Sequence, residues 1–187
     1  NNFRSTRITG TNCTSTISSL KSPANQIGKK DHIRSYLILL LNELENVEQN
    51  PLFHPEGDAL YHSLQVYQCA LLETSDPELL AAALLHDVGK AIDYPNHDCV
   101  GAETIDGLLS PRIAWLIRHH LDLLVAPQKT RRLLAGKNKL ADLEKLRRWD
   151  IAGRKKDVIV MSPQQAIDEL FAEFQLITKQ SPSPFYS

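Results

Sequence analysis

Between residues 31 and 44 the apolar positions Ile33, Leu37, Leu40, Leu41 and Leu44 recur at three- and four-residue steps. That spacing predicts an amphipathic helix with one buried stripe. ENVEQNPLFHPEGD (45–58) breaks it, with Pro51, Pro55 and Gly57 as punctuation. A second helix is expected from about Asp58, its N-cap, to Glu73. Ser75-Asp76-Pro77 opens a third, which should run to Asp87 and be ended by Gly89. YPNHD reads as a loop, and a fourth helix should cover His97 to Leu109. Ser110-Pro111 starts a fifth, expected to reach about Leu124. Residues 126–138 are basic and read as a loop or short helix. A sixth helix is predicted over 139–152, and a seventh, opened by Ser162-Pro163, to Thr178. Alternating strand patterns are absent. The fold class is all-α: a bundle of six or seven helices over 31–178, flanked by a polar segment (1–30) and an irregular tail (179–187).

Composition narrows the function classes. The 187 residues suit one domain with a full core. A formal net charge of −1 gives no general pull toward nucleic acid or an anionic membrane. Cys13, Cys69 and Cys99 lack CxxC spacing, which argues against a disulfide scaffold or a thiolate zinc knuckle and for a reduced, cytoplasmic setting. The longest apolar run, Tyr36 to Leu41, falls far short of the roughly 18–20 residues that span a bilayer. Residues 1–30 carry Arg4, Arg7, Lys21, Lys29 and Lys30 without an acidic residue, which loosely resembles an organelle transit peptide.

The chemistry concentrates in AAALLHDVGKAIDYPNHD (81–98). An apolar helix ends in adjacent His86 and Asp87, and burying either group without a partner is costly. His62, His97, His119, His120 and Asp150 stand at or near inward positions of other predicted helices. A helical bundle can gather such residues around one axis, where one or two cations satisfy them together. Adjacent helical residues project about 100° apart, so His86 and Asp87 share a target only if the helix ends there. Imidazole and carboxylate without thiolate suit divalent Mn, Fe, Co, Ni or Zn, and not Ca.

His62…His86-Asp87…Asp150 resembles the H…HD…D signature of the HD-domain superfamily of metal-dependent phosphohydrolases. HPEGDALYHSLQVYQ (54–68) followed by LLHDVGK (84–90) is especially similar to the HD domain of some tRNA nucleotidyltransferases; the nucleotidyltransferase domain itself is not expected within these 187 residues, which carry no matching acidic strand motif. HDCVG, with His97 and Gly101, and RHH, with His119 and His120, resemble the elements that bind a second metal in dinuclear members. The resemblance implies hydrolysis of a phosphomonoester or phosphodiester by metal-activated water, with Asp87 as the bridging carboxylate. The implied partner is a small phosphorylated, nucleotide-like substrate, with nucleic acid and membrane not expected. By analogy with the nucleotidyltransferase-linked domains, a 2′,3′-cyclic or 2′-phosphate is a candidate group. The HH of the cyclic-di-nucleotide branch continues with a Glu and a Gly-Tyr-Pro element, and LDLLVAPQ does not match it.

Lys90, Arg118 and Arg154 are the candidate phosphate-binding side chains, with Lys129, Arg131, Arg132, Lys137 and Lys139 as a basic segment beyond. Asp93, Asp98 and Glu103 are candidates for orienting the imidazoles. His54 reads as structural or rim, and His32 as surface. Two alternatives share the ligand pattern: a mixed-valent di-iron oxygenase of the same superfamily, and a non-catalytic nucleotide-binding module.

Overall fold

The computed structural model describes residues 23–178. The expectations of a transit-like leader and of an irregular tail concern segments that lie mostly or wholly outside the described residues. Ten α-helical segments appear: α1 (Pro23–Asn42), α2 (Ala59–Leu71), α3 (Pro77–Leu85), α4 (His97–Ile105), α5 (Pro111–His119), α6 (Asp122–Val125), α7 (Pro127–Leu133), α8 (Asn138–Ala152), α9 (Pro163–Leu170) and α10 (Phe174–Ile177). Three 3-10 turns join them, at Val88–Ala91, Tyr94–Asn96 and Phe171–Glu173. No strand occurs among the described residues; a single antiparallel bridge pairs Glu48 with Asp58. No described helix is long and apolar enough to cross a membrane.

Local chemistry sets the helix starts. Asp58 accepts the Tyr61 amide at 2.8 Å, and Asp76 accepts those of Glu78 and Leu79 ahead of Pro77. Ser110 and Ser162 cap α5 and α9, the latter with a reciprocal capping box to Gln165. Each such cap is worth about 1 kcal/mol.

The stripe Ile33, Leu37, Leu40, Leu41 and Leu44 is buried as its spacing requires, and the Arg34–Asp168 pair ties α1 to α9. α3 is different: every residue from Leu79 to Leu85 is buried. A helix apolar all round belongs at the centre of a bundle. α3 packs on α2, α5, α8, α9 and α10. Its C-terminal end therefore discharges the chain inside the protein, and the next two residues are His86 and Asp87.

Several boundaries differ from expectation: α1 begins at Pro23 rather than near Asp31, α4 ends at Ile105 rather than Leu109, and the predicted seventh helix is divided into α9, a 3-10 turn and α10. α3 stops at Leu85, and Gly89 does not cap it; Gly89 lies inside the following 3-10 turn. Close approach explains the glycine: a Cβ there would sit 2.1 Å from the His97 carbonyl oxygen and 2.7 Å from the Gly101 amide nitrogen. The turn after α3 thus rests backbone to backbone on the first turns of α4. The predicted fifth helix is cut at His119, and α6 follows after a short break.

Gly89→Ala should therefore destabilise the protein by at least about 1–3 kcal/mol, as overpacking does. Gly28→Ala, in α1 with nothing within 4 Å of its would-be Cβ, should stabilise by roughly 0.5–1 kcal/mol through helix propensity. Thermal melts of the two variants should move in opposite directions.

Candidate metal centre

Three imidazoles reach one cavity by the same local device. His86 C-caps α3, His120 C-caps α5, and His97 C-caps the Tyr94–Asn96 turn. Each Nδ1 faces the carbonyl oxygen three residues back: Ala83 at 3.0 Å, Ile117 at 2.6 Å and Tyr94 at 2.9 Å. Carbonyls in a last turn lack an intrahelical donor, so Nδ1 is assigned the proton and Nε2 turns its lone pair inward. His62, in the first turn of α2, is held from two other segments: its Nδ1 lies 2.8 Å from Glu56 Oε1 and 3.2 Å from the Gly153 carbonyl.

The four Nε2 atoms surround Asp87. Its Oδ2 is 3.4 Å from His86 Nε2 and 3.9 Å from His62 Nε2. Its Oδ1 is 3.3 Å from His97 Nε2 and 3.7 Å from His120 Nε2. Asp150 Oδ1 joins the first pair, 3.2 Å from His62 Nε2. Two ligand clusters thus share one carboxylate: His62, His86 and Asp87 on one side, Asp87, His97 and His120 on the other.

Divalent cations fit this donor set. His62 Nε2 and His86 Nε2 are buried and make no hydrogen bond. His97 Nε2 and His120 Nε2 face each other at 3.3 Å, and with both Nδ1 protons on carbonyls their lone pairs oppose. A cation between such atoms converts each unfavourable contact into coordination. The charges agree. Burial opposes ionisation of Asp87, yet His86 and Lys90 hold its carboxyl well below the usual range. Asp150 is likewise held ionised against burial by His62, His86 and Arg154. Burial disfavours the charged His62, but Asp150 and Glu56 outweigh it and hold this imidazole up at about 9, so a cation at its Nε2 would have to displace a proton there. Burial, reinforced by His86, pushes His120 down to about 4.

Residues 59–154, just over half of the chain, match the HD domain family. The chain belongs to the HD domain family. Three relatives, each described as "Multifunctional CCA protein", are similar over part of it. The protein of Hahella chejuensis is 36% identical over 90 residues, covering 44% of this chain and 21% of that protein. That of Halorhodospira halophila is 37% identical over 70 residues, 34% of this chain and 17% of the relative. That of Methylococcus capsulatus is 44% identical over 55 residues, 29% of this chain and 13% of the relative. The matches thus span about a fifth of these relatives, or less. The family is a superfamily of metal-dependent phosphohydrolases, and this HD domain carries His/Asp clusters able to hold divalent metal.

Around the HD centre the structure brings together His62, His86, Asp87, His97, His120 and Asp150, and places His119 elsewhere. The His119 ring bonds Asp122 at 2.8 Å and stacks on Trp115 at 4.5 Å. The physical reason is the angular step between helical neighbours, which lets only one residue of the HH pair face the cavity. Arg118 also turns away, to Glu103 at 3.3 Å. Asp93, Asp98 and Glu103 do not orient the imidazoles; Asp93 accepts Asn96, Glu103 accepts Arg118, and carbonyls do the orienting. Lys129, Lys137 and Lys139 line a separate pocket of about 350 Å³ with Trp115 and His119, and Arg131 pairs with Glu144.

The metal cavity measures about 510 Å³. Part of its lining is cationic. Lys90 Nζ lies 2.6 Å from Asp87 Oδ2 and 2.5 Å from Gln49 Oε1, while Arg147 and Arg154 grip Asp150 at 2.5 and 2.8 Å. Phe53, Tyr94, Leu121 and Leu124 add apolar surface to the lining, with Lys90 Nζ 5.5 Å over the Tyr94 ring and Arg154 donating to the Phe53 carbonyl at 3.1 Å. Sequence reasoning missed Gln49, Phe53, Glu56 and Arg147. Arg147 precedes Asp150 by one helical turn, a legible signal; Gln49, Phe53 and Glu56 sit in an irregular segment with no period to read.

Asp87 contributes to both clusters and His97 to one. Asp87→Ala should lose essentially all tightly bound metal, and His97→Ala about half, both with unchanged helical circular dichroism. Elemental analysis after dialysis checks this, and full occupancy in Asp87→Ala would refute the shared-carboxylate assignment.

Proposed function

We propose that this HD domain hydrolyses a phosphomonoester or phosphodiester of nucleotide type. The observation that carries the reading is Asp87, with each carboxylate oxygen facing its own pair of inward imidazole nitrogens. His62, His86, Asp87 and Asp150 would hold one divalent ion, and Asp87, His97 and His120 a second. Bound there, such ions supply hydroxide at neutral pH and Lewis acidity toward phosphoryl oxygens.

The chain itself supplies binding and orientation. Lys90 and Arg154 present fixed positive charge on the cavity side of the two carboxylates, and Arg147 adds a second guanidinium. Guanidinium and ammonium groups there favour a phosphoryl group over a neutral ligand. Phe53 and Tyr94 line the same cavity beside Arg154 and Lys90, and would offer apolar contact to the planar part of a nucleoside. The imidazoles need no rearrangement, because backbone carbonyls and Glu56 already fix their rings.

The test is turnover of nucleoside 2′-, 3′- and 5′-monophosphates and 2′,3′-cyclic nucleotides by protein reloaded with Mn, Fe, Co, Ni or Zn, under nitrogen. Hydrolysis without oxygen is expected. Turnover only with iron and oxygen would instead favour the di-iron oxygenase reading. Lys90→Ala should retain metal and lower kcat/KM by roughly 10-fold or more, the worth of one charge-assisted contact; unchanged constants would remove Lys90 from the phosphate site.

A further inference from the structure

His62 differs from the other three inward imidazoles. Their Nδ1 atoms rest on neutral carbonyls of their own chain segments. His62 lies in the first turn of α2, where the carbonyls behind it are taken by the helix's own amides, as Asp58 O is by His62 N; the one carbonyl facing its Nδ1, that of Gly153 at 3.2 Å, comes from the far end of α8. Its partner is the Glu56 carboxylate, at 2.8 Å, in the segment that leads into α2. The Glu56 side chain is wholly shut from solvent. The same Oε1 accepts from His54 Nδ1 at 2.9 Å, and Oε2 is buried with no hydrogen bond. A carboxylate held in such a place needs a strong donor, and His62 Nδ1–H supplies it.

We propose that Glu56 is a positioning residue of the metal centre, fixing His62 with its proton on Nδ1 and its Nε2 toward the cation, and that it makes the two ion sites unequal. The inference rests on the reading of the two clusters as ligand sets. A carboxylate behind an imidazole raises the basicity of the nitrogen in front. The cluster of His62, His86, Asp87 and Asp150 therefore has two direct carboxylates and one carboxylate-backed imidazole. The cluster of Asp87, His97 and His120 has one shared carboxylate and two carbonyl-backed imidazoles. The first should bind its ion well ahead of the second.

Stepwise calorimetric titration of the metal-free protein with Mn2+ and with Zn2+ tests this. The wild type should show two steps. Glu56→Gln should weaken the tighter step by roughly 10–100-fold and leave the weaker one near its wild-type value. In a His62→Ala background the same change should have no further effect, since Glu56 acts through that ring. Equal loss in both steps, no loss in either, or a full effect in the His62→Ala background would overturn the proposal. A wild type that takes up no metal would instead overturn the functional reading beneath it. Should Glu56→Gln fail to fold, 1H–15N spectra of the zinc-loaded wild type still decide. Proton on Nδ1 and metal on Nε2 of His62 supports the proposal, and the reverse overturns it.

Discussion

Asp87 is a carboxylate placed at the wrong end of a helix, and the rest of the centre follows from that. The C-terminal end of a helix carries partial negative charge, which favours cations and disfavours an acid. Asp87 sits two residues beyond the last residue of α3, where the apolar core shuts out water. α5 ends at the same cavity with His120 as its C-cap, and Asp150 lies in the last turn of α8. Three helix C-termini and two carboxylates thus meet in one low-dielectric space. Only positive charge makes such a space tenable. The chain supplies part of it through Lys90, Arg147 and Arg154, and leaves the inward nitrogens to a metal.

The helix ends also solve the geometric problem. A C-cap histidine finds a spare carbonyl one turn behind it, and this bond fixes ring angle and tautomer together. His86, His97 and His120 use the same arrangement on three unrelated elements. The glycine contact between Gly89 and the first turns of α4 holds two of these ends in register, since any Cβ at Gly89 would collide with the His97 carbonyl. Gly153 does the equivalent for α8: its would-be Cβ meets Val66 at 2.6 Å, and its carbonyl reaches His62.

Much of this was legible in the residues. The stripe from Ile33 to Leu44, the caps at Asp58, Asp76, Ser110 and Ser162, and the all-apolar stretch from Leu79 to Leu85 are local signals, and they fixed the helical class. His86 with Asp87 stood out because a buried pair at the end of an apolar helix demands a partner. His119 is grouped with His120 through the resemblance of RHH to the dinuclear members, whereas the 100° step between helical neighbours turns His119 to Asp122 and Trp115. Glu56 and Gln49 were invisible for another reason. They reach the site from an irregular segment whose course is set by long-range contacts, such as the bridge of Glu48 with Asp58 and the bond of Lys90 to Gln49.

The mixed cationic and aromatic lining of the cavity bears on how the proposed substrate would bind. Lys90, Arg147 and Arg154 are already committed to Asp87 and Asp150. A cation held by the same carboxylates would share them with these side chains, which under the proposed reaction would leave donors available to a phosphoryl group. Phe53, at 64% exposure, and Tyr94, at 41%, line the same cavity and would offer apolar contact to the rest of such a ligand. Under the proposed function, a phosphate ester with a planar, apolar alcohol part would use both the cationic and the aromatic side chains of this cavity, whereas a free inorganic anion would use only the cationic ones.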